Sequence, residues 1–230
     1  MTEYRALVIG ATGAVGSALV RGLLAAPRCR AVTILTRRAT EMFAGAPGAG
    51  KLTQRVVDMD RVELQAREPA TGCEAAFCTM GIGQPRKVSR DQFWKVDVDY
   101  AGAFARACKA AGVRHLSLLT AIGANPRSSN YYLRVKGTVE ERYQSLAFAR
   151  LSLFRPSVLV TPNLRYGWQD WLTQHLFPWV SRLLPSRFHQ IRVEDLARAM
   201  RLNAERHGTE PVEVLYYGDC LALLRSAERL

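Results

Sequence analysis

A tyrosine and a lysine near the middle of the chain form the residue pair best suited to chemistry. Tyr132 and Lys136 are four residues apart in a helical pattern, so both side chains are expected on one helix face. An ammonium group near a phenol favours the phenolate and lowers the phenol pKa from about 10 toward working pH. Tyr132 is therefore a candidate general acid and base.

A hydroxyl residue upstream completes this set. Thr120 ends the apolar segment 115–120, which is predicted to be a strand, and it precedes Tyr132 by twelve residues. Ligand-contacting groups in open parallel sheets lie at this end of the strands. The Thr120 hydroxyl can donate to a substrate carbonyl or to its developing oxyanion. His115, at the entrance of the same strand, is interpreted as structural.

The start of the chain predicts a cofactor site. The apolar run 4–9 leads into a glycine-rich turn and then an apolar-periodic segment, the pattern of strand, tight loop and helix. Gly10 permits the sharp turn, Gly13 the approach of a diphosphate, and Gly16 close packing of helix on sheet. The helix N-terminus attracts phosphate. The alternative is a glycine-rich turn without function. The predicted cofactor contacts here are Gly10, Thr12, Gly13, Ala14, Val15 and Gly16.

Two arginines after the second predicted strand, 31–36, select the form of the cofactor. An acidic residue at this place would bind the ribose 2′-hydroxyl of NAD, whereas an arginine accommodates the 2′-phosphate of NADP. Arg37 and Arg38 follow the strand directly, and no acid occurs before Glu41. Guanidinium groups bind a phosphate dianion through charge-assisted hydrogen bonds. The sequence therefore predicts NADP; the alternative is two solvated arginines in a basic protein.

The alternation of strands and helices predicts the fold. Further strands are expected at 52–57 and 75–79 and at the chain end, with helices at 60–68 and 91–111. This pattern indicates an α/β fold, a doubly wound and mostly parallel Rossmann sheet flanked by helices. Gly81 follows the fourth strand, where a glycine suits a backbone that lines the cofactor crevice.

The chain is expected to form one domain, 1–230, with a cofactor half at about 1–155 and substrate-side elements mainly at 156–192. Trp168, Trp171 and Trp179 recur with leucines at helical spacing in the second part. The spacing predicts two helices, a small C-terminal cap over the substrate crevice, with Pro178 starting the second. Docking of this segment on a membrane or on a second subunit is the alternative.

Composition narrows the function classes. The 230 residues are 48% apolar, enough for one substantial core, and no stretch approaches the ~20 apolar residues of a membrane-spanning helix. The net charge of +12 comes from arginines spread along the chain, which favours attraction of anionic ligands over nucleic-acid binding. Five scattered cysteines lack metal-ligand spacing and indicate reduced thiols. With a strand starting right after Met1, no secretory signal and a cytoplasmic location are expected.

Several segments together resemble the short-chain dehydrogenase/reductases. The loop 10–16 is similar to their GxxGxxG, residues 132–136 to their YxxxK, residues 154–159 to their "RPG" strand and residues 193–197 to their "VxDVA" helix start. Residues 36–38, 57–58, 96–100 and 128–130 resemble the Tat-interacting oxidoreductase-like group of atypical members.

The resemblance implies an NADP-binding fold and hydride transfer to or from a carbonyl. It implies Tyr132 as acid and base, Lys136 as the residue that holds the ribose and tunes Tyr132, and Thr120 in place of the usual serine. It also implies cofactor contacts from Asp58 and Pro156. Asp97 stands where many relatives carry an asparagine of a proton relay, so that relay is not expected in its usual form.

The sequence thus predicts an NADP-dependent oxidoreductase for a small, apolar carbonyl or alcohol. The competing hypothesis is an NADP-binding sensor or regulatory scaffold without turnover, since a fold alone does not fix function. A metal is not expected, and a monomer and a homodimer both remain open.

Overall fold

The computed structural model describes residues 3–160, 189–208 and 210–228. The strands of these residues are β1 Tyr4–Ile9, β2 Cys29–Thr36, β3 Leu52–Val56, β4 Ala75–Cys78, β5 His115–Leu119, β6 Arg150–Phe154, β7 Leu159–Val160, β8 Ile191–Arg192 and β9 Val212–Leu215. The α-helices are α1 Ala14–Ala25, α2 Val62–Gln65, α3 Arg67–Ala70, α4 Arg90–Trp94, α5 Ala101–Ala110, α6 Tyr131–Ser145, α7 Val193–Glu205 and α8 Tyr217–Ala227. The helix pair predicted around Trp168 and Trp179 lies outside the described residues.

Seven strands form one sheet in the order β3-β2-β1-β4-β5-β6-β9, and neighbouring strands in it are parallel. The short strands β7 and β8 pair separately. The chain runs outward from β1 to β3 and then returns to β4, so the strand order reverses between β1 and β4. In open parallel sheets, ligands bind at such a switch point, beyond the carboxyl ends of the strands. The predicted doubly wound α/β sheet is confirmed.

Both faces of the sheet are covered, as the apolar run of β1 requires. Ala6 and Val8 face a core shared with residues of α1 and α7, whereas Leu7 and Ile9 face a core shared with residues of α5 and α6. Successive strand residues point to opposite faces, so a strand buried on both sides is apolar throughout. This double burial fixes β1 and therefore the position of the glycine loop that follows it.

The helix predicted over 91–111 is interrupted by a π-helical segment, Lys95–Tyr100, between α4 and α5. Val96 and Tyr100 belong to the residues at spacings of three and four that predict this helix, but the structure buries Asp97 and Val98 instead. A π-turn holds one residue more than an α-turn, which shifts the buried face by one position. A regular apolar period does not reveal such an insertion, and its consequence is an inward-facing carboxylate.

The strand expected at 154–159 is also shifted. β6 ends at Phe154, so Arg155 and Pro156 follow its carboxyl end and lie in the loop at the ligand edge. The amide of Arg155 donates to the carbonyl of Leu215, which ties this loop to the end of β9. Proline cannot donate a ladder hydrogen bond, which explains why pairing with β5 stops before Pro156.

Candidate active site

The glycine loop between β1 and α1 has the shape that a phosphate group requires. Gly10 has a φ of +83°, and a Cβ on it would lie 2.5 Å from the Met80 amide nitrogen. A Cβ on Gly16 would lie 2.6 Å from Thr79 Oγ1, so α1 approaches the sheet only because this residue is glycine. Gly13, by contrast, has only the Gly10 carbonyl nearby and is exposed, as is Thr12.

The start of α1 faces this open side of the loop. Gly13 is its N-cap, and no side chain there satisfies a backbone N–H group. Ala14 is half-buried, and Val15 packs into the core, so the backbone amides rather than the side chains are what the helix end offers. Free amides and the positive end of the helix dipole attract an anion. The loop thus fits a diphosphate.

The residues after β2 and β3 lie at the same edge of the sheet but differ in whether their side chains are free to bind a ligand. Arg37 and Arg38 are exposed and form no ion pair within the described part of the chain. Thr36, just before them, has a buried hydroxyl without a hydrogen-bond partner there. Asp58 accepts a hydrogen bond from the amide of Asp60 at 3.0 Å, so its carboxylate caps a short turn after β3. Asp58 therefore already has a structural role.

Tyr132 sits in the first turn of α6. Its ring stacks on Phe93 with a centroid separation of 5.9 Å and an interplanar angle of 5°, and Lys136 Nζ lies 5.9 Å from its ring centroid. The Tyr132 hydroxyl has no hydrogen-bond partner within the described residues. The ring is thus held from one side while the hydroxyl stays available, which suits a group that exchanges a proton with a ligand.

The loop before α6 fixes the direction of this first turn. Asn130 caps the helix by accepting from the Leu133 amide, and the Asn125 amide donates to the Leu133 carbonyl. Gly137 lets the helix lie against Asn125 and Pro126, because a Cβ on it would collide with their backbone. The spacing that predicted a Tyr132–Lys136 face is confirmed by the helix.

Asp97 connects Lys136 to the loop after β4. Lys136 Nζ donates to Asp97 Oδ1 at 2.7 Å, and the Ile82 amide donates to Asp97 Oδ2 at 2.9 Å. The Asp97 side chain has no exposed surface, and that of Lys136 is 10% exposed. Burial, the largest single influence, lowers the pKa of Lys136, but the charge of Asp97, the nearby Tyr132 and the hydrogen bond to Asp97 together outweigh it and raise the pKa above its ordinary value. Lys136 is therefore held as a buried ammonium ion.

Gly81 is part of the same arrangement. A Cβ on it would lie 2.9 Å from Asp97 Oδ1 and 3.3 Å from Lys136 Nζ. The sequence had suggested Gly81 as crevice backbone, and the structure adds that this glycine leaves room for the buried ion pair. Where the resemblance implies an asparagine, this chain thus has a carboxylate that binds the lysine directly.

Thr120 lies just beyond the end of β5 and is buried, with 5% of its surface exposed. Its amide donates to the Phe154 carbonyl at 2.9 Å, whereas its Oγ1 has no partner within the described residues. A buried hydroxyl without a partner costs about 1–3 kcal/mol, so a ligand oxygen here would be stabilising. Pro156 lies next to it, because its carbonyl accepts from the Ile122 amide at 2.9 Å.

A second ion pair, which sequence reasoning missed, anchors α6 to the sheet. Arg155 Nε donates to Glu140 Oε1 at 2.9 Å, and Arg155 Nη1 donates to the Tyr216 hydroxyl at 3.1 Å. Glu140 is 2% exposed. Its position four residues after Lys136, on the same helix face, was a usable signal. Its partners come from distant parts of the chain, and periodicity does not reveal them.

Comparison with known proteins defines the class. The model of the NAD(P)H-binding family matches residues 10–151, more than half of the chain. The protein is therefore a member of the NAD(P)H-binding family, with an oxidoreductase-like Rossmann fold. It is 33% identical to the protein HTATIP2 of Rattus norvegicus over 216 residues, which covers 94% of this chain and 87% of that protein. The expected similarity to the Tat-interacting oxidoreductase-like group is confirmed.

Other relatives carry a compartment in their names. The mitochondrial protein FMP52-1 of Scheffersomyces stipitis is 32% identical over 155 residues, 67% of each chain. A mitochondrial location is thus a property of that relative. Within the described residues of this protein, no helix has the length and apolar character needed to cross a membrane.

Solved structures share the fold at low identity. MoeE5 in complex with UDP-glucuronic acid and NAD superposes with a TM-score of 0.71 at 18% identity, covering 93% of this chain and 76% of that one. The oxidoreductase ylbE from Lactococcus lactis gives a TM-score of 0.66 at 14% identity, covering 98% and 97%. At these identities the similarity establishes the fold, while the chemistry has to be argued from the site.

Proposed function

We propose that this protein is an NADP-dependent oxidoreductase that transfers a hydride between the nicotinamide and a small carbonyl or alcohol. The observation that carries the proposal is the buried hydroxyl of Thr120, which has no partner among the described residues, at the sheet edge where Tyr132 stands beside the buried ammonium of Lys136. A hydroxyl donor and a proton-exchanging phenol are the two groups that a carbonyl oxygen needs when it becomes an alcohol.

The residues of this edge fit the proposed cofactor. The exposed Gly13 and the free end of α1 would hold the diphosphate, and Arg37 with Arg38 would bind the 2′-phosphate of NADP. When bound, the cofactor supplies or accepts the hydride. The further proposed contacts are Gly10, Thr12, Ala14, Val15, Gly16, Asp58, Gly81, Tyr132, Lys136 and Pro156.

The proton chemistry would be carried out by three side chains. In the direction of reduction, Tyr132 Oη gives its proton to the substrate oxygen, and Thr120 Oγ1 donates a hydrogen bond to the same oxygen. In the direction of oxidation, the proton returns to Tyr132 Oη. Lys136 supplies positive charge 5.9 Å from the Tyr132 ring, where negative charge develops when the phenol is deprotonated.

One observation favours a second candidate, an NADP-binding sensor without turnover. Asp97 binds Lys136 directly, in the place where the usual relay has an asparagine. A sensor requires the cofactor pocket but no proton path. Tyr132 and Thr120 are unexplained by that role, so the enzyme remains the first proposal.

We also propose a cytoplasmic location and a monomeric or homodimeric state. The five cysteines are free and buried, as expected for a reducing compartment. Fractionation of cells that express the tagged protein would test the location, and a mitochondrial signal would overturn it.

The test of the enzyme is Tyr132→Phe, with Tyr100→Phe as matched control. The Tyr100 hydroxyl bonds Asp60 at the surface and lies outside the proposed machinery. Loss of a general acid costs about 10²–10⁴-fold in rate, so we expect that loss in NADPH-dependent carbonyl reduction for Tyr132→Phe, with NADPH affinity kept. A variant that keeps more than about a tenth of the rate would remove Tyr132 from this role.

A further inference from the structure

Two loops at the carboxyl edge of the sheet carry basic residues and no acidic ones. The loop after β4, residues 79–89, contains Arg86 and Lys87, and the loop after β5, residues 120–130, contains Arg127. Arg90 follows the first loop as the first residue of α4, where Asp91 is the nearest acidic residue in sequence. Strands β4 and β5 lie on the side of the switch point away from β2, whose end carries Arg37 and Arg38. The loops therefore border the substrate half of the crevice rather than the half assigned to the 2′-phosphate.

The four basic side chains are exposed, and none forms an ion pair with a carboxylate of the described residues. Exposed arginines elsewhere in the protein are commonly paired, for example Arg106 with Glu63 and Arg142 with Asp99. The sequence of the segment 161–188 contains one acidic residue, Asp170, against three arginines. The charge of the two loops is thus left without a matching set of carboxylates.

A small apolar cluster holds the first loop beside Tyr132. Ile82 and Val88 pack against the buried cluster of Phe93, Val98 and Val135, which also contacts Tyr131 and Tyr132. The short turn Pro85–Lys87 lies between these two anchors. Arg86 and Lys87 are therefore attached to the same cluster as the proposed acid.

Tyr131 links the second part of the basic rim to the helix that carries Tyr132. Its hydroxyl donates to the Arg90 carbonyl at 2.8 Å, and the Arg90 guanidinium lies 5.2 Å from its ring centroid. Arg134 lies 5.4 Å from the same ring and donates to the Ser128 carbonyl, next to Arg127. The two loops thus meet at the start of α6.

From this arrangement we propose that Arg86, Lys87, Arg90 and Arg127 form a binding site for a carboxylate or phosphate group on the substrate. The inference rests on the proposed function and replaces the expected apolar substrate with an organic anion. Guanidinium and ammonium groups bind such groups through charge-assisted hydrogen bonds, and a basic crevice attracts anions from solution. The anionic group takes no part in bond changes: the carbonyl carbon gains the hydride and its oxygen the proton from Tyr132.

The first test measures binding rather than turnover. Phosphate and malonate are titrated into the NADPH-loaded protein at constant ionic strength, with isothermal calorimetry as readout. We expect saturable binding that weakens about tenfold or more in the double variant Arg86→Gln/Lys87→Gln. The matched control is Arg28→Gln/Arg114→Gln, which removes two exposed cations from the opposite edge of the sheet. We expect the control to stay within about twofold of wild type.

Several results would overturn the proposal. The first is that neither phosphate nor malonate binds saturably. The second is that both double variants weaken anion binding equally. The third is that NADPH affinity falls in Arg86→Gln/Lys87→Gln as much as anion affinity does, which would assign the loop to the cofactor. The tighter of the two probes identifies the group as phosphate or carboxylate.

The second test separates this proposal from the proposed function. Reduction of succinic semialdehyde is compared with reduction of butanal, which lacks the carboxylate. We expect kcat/KM to favour the acid by at least about tenfold in wild type, and we expect the preference to disappear in Arg86→Gln/Lys87→Gln. Anion binding without reduction of either compound would contradict the enzyme proposal alone, whereas reduction with equal preference would contradict the anion site alone.

Discussion

The central sheet has an amino edge, where its parallel strands begin, and a carboxyl edge, where they end, and the polar groups at these two edges differ in how many hydrogen-bond partners they have. At the amino edge, Ser152 donates to Glu213 at 2.6 Å, and Asn203 donates to both residues. Arg150 also donates to Glu213, at 2.7 Å. Burial disfavours the charge of Glu213, but these hydrogen bonds and the charge of Arg150 outweigh it and lower the pKa of the carboxyl. The amino edge is thus a nearly satisfied network.

The carboxyl edge is unsatisfied by comparison. The hydroxyls of Thr36 and Thr120 are buried there without partners in the described residues. Arg37 and Arg38 are exposed and pair with no carboxylate in the part of the chain that the structure describes, and no side chain there caps the start of α1. Buried polar groups in proteins nearly always have partners. Among the described residues, His115 Nδ1 at the amino edge and Ser117 Oγ within β5 also lack one, but only at the carboxyl edge do such hydroxyls lie beside exposed arginines and an uncapped helix end. That combination indicates a ligand surface.

The comparison indicates that polar groups at one edge of the sheet stabilise the fold, whereas those at the other edge bind ligands. Polar groups at the amino edge stabilise the fold through contacts within the chain. Those at the carboxyl edge are held in position by the fold, but their partners are expected to come from outside. Changes at the two edges should therefore have separable effects.

The largest stability effect is expected from Arg150→Met at the amino edge. The variant leaves Glu213 nearly buried without one of its cations, and breaking a buried ion pair costs about 3–5 kcal/mol. Urea unfolding should show a loss of about 3 kcal/mol, because Arg206 still pairs with Glu213. Arg114→Met is the exposed control, expected within about 0.5 kcal/mol of wild type. If the folded Arg150→Met variant bound NADPH more weakly than wild type, the amino edge would also affect cofactor binding, which contradicts the account.

A smaller effect is expected from Asp97→Asn, which breaks the buried ion pair with Lys136 in the candidate site. Without the carboxylate, burial is opposed much less, so the pKa of Lys136 should fall. Because the asparagine oxygen can still accept a hydrogen bond from Lys136 Nζ, we expect a loss of about 2 kcal/mol in unfolding free energy, less than the ~3–5 kcal/mol for losing a buried partner outright. We also expect weaker NADPH binding.

Asp99→Asn is the matched control for this change, because its ion pair with Arg142 lies on the same π-helical segment but is exposed. Such surface pairs contribute about 0–1 kcal/mol. If Asp97→Asn and Asp99→Asn lost the same unfolding free energy, burial would not be what makes the Asp97–Lys136 pair more important for stability.

Local patterns made much of this fold and site predictable, and long-range contacts account for the rest. The strand, glycine loop and helix at the chain start are contiguous, and Tyr132 and Lys136 share one helix face, so both were visible in the sequence. The pairing of Lys136 with Asp97 joins residues 39 positions apart and depends on the π-turn. The link between Glu140 and Arg155 depends on where β6 ends, and the resemblance to the "RPG" strand had placed that strand at 154–159.

His115, at the amino edge, is expected to make the unfolding free energy depend on pH, by about 2 kcal/mol between pH 7 and pH 5. Burial, reinforced by the charge of Arg150, lowers the pKa of His115 from 6.5 to about 3. Ser152 donates to Glu213 and so must accept from His115 Nε2, which leaves Nδ1 without an acceptor for a second proton. Between pH 6.5 and 3, the unfolded chain binds this proton and the folded protein does not. Stability therefore falls as pH decreases through this range.

Urea unfolding at pH 7 and pH 5 measures this effect. We expect wild type to lose about 2 kcal/mol more on acidification than His115→Gln does. The comparison between the two proteins removes the contribution of other titrating groups, because these are shared. The same pH dependence in both proteins would show that His115 is not the group responsible.

The most direct test of the account is a fluorescence titration with NADPH and, separately, with NADH. We predict that wild type binds NADPH at least about tenfold more tightly, a difference of about 1.4 kcal/mol. Arg37→Gln/Arg38→Gln should reduce this preference to below about threefold, while the amino-edge control Arg28→Gln/Arg114→Gln should keep it. Equal binding of the two cofactors by wild type would contradict the assignment of the arginines, and binding of neither would contradict the carboxyl edge as a cofactor surface.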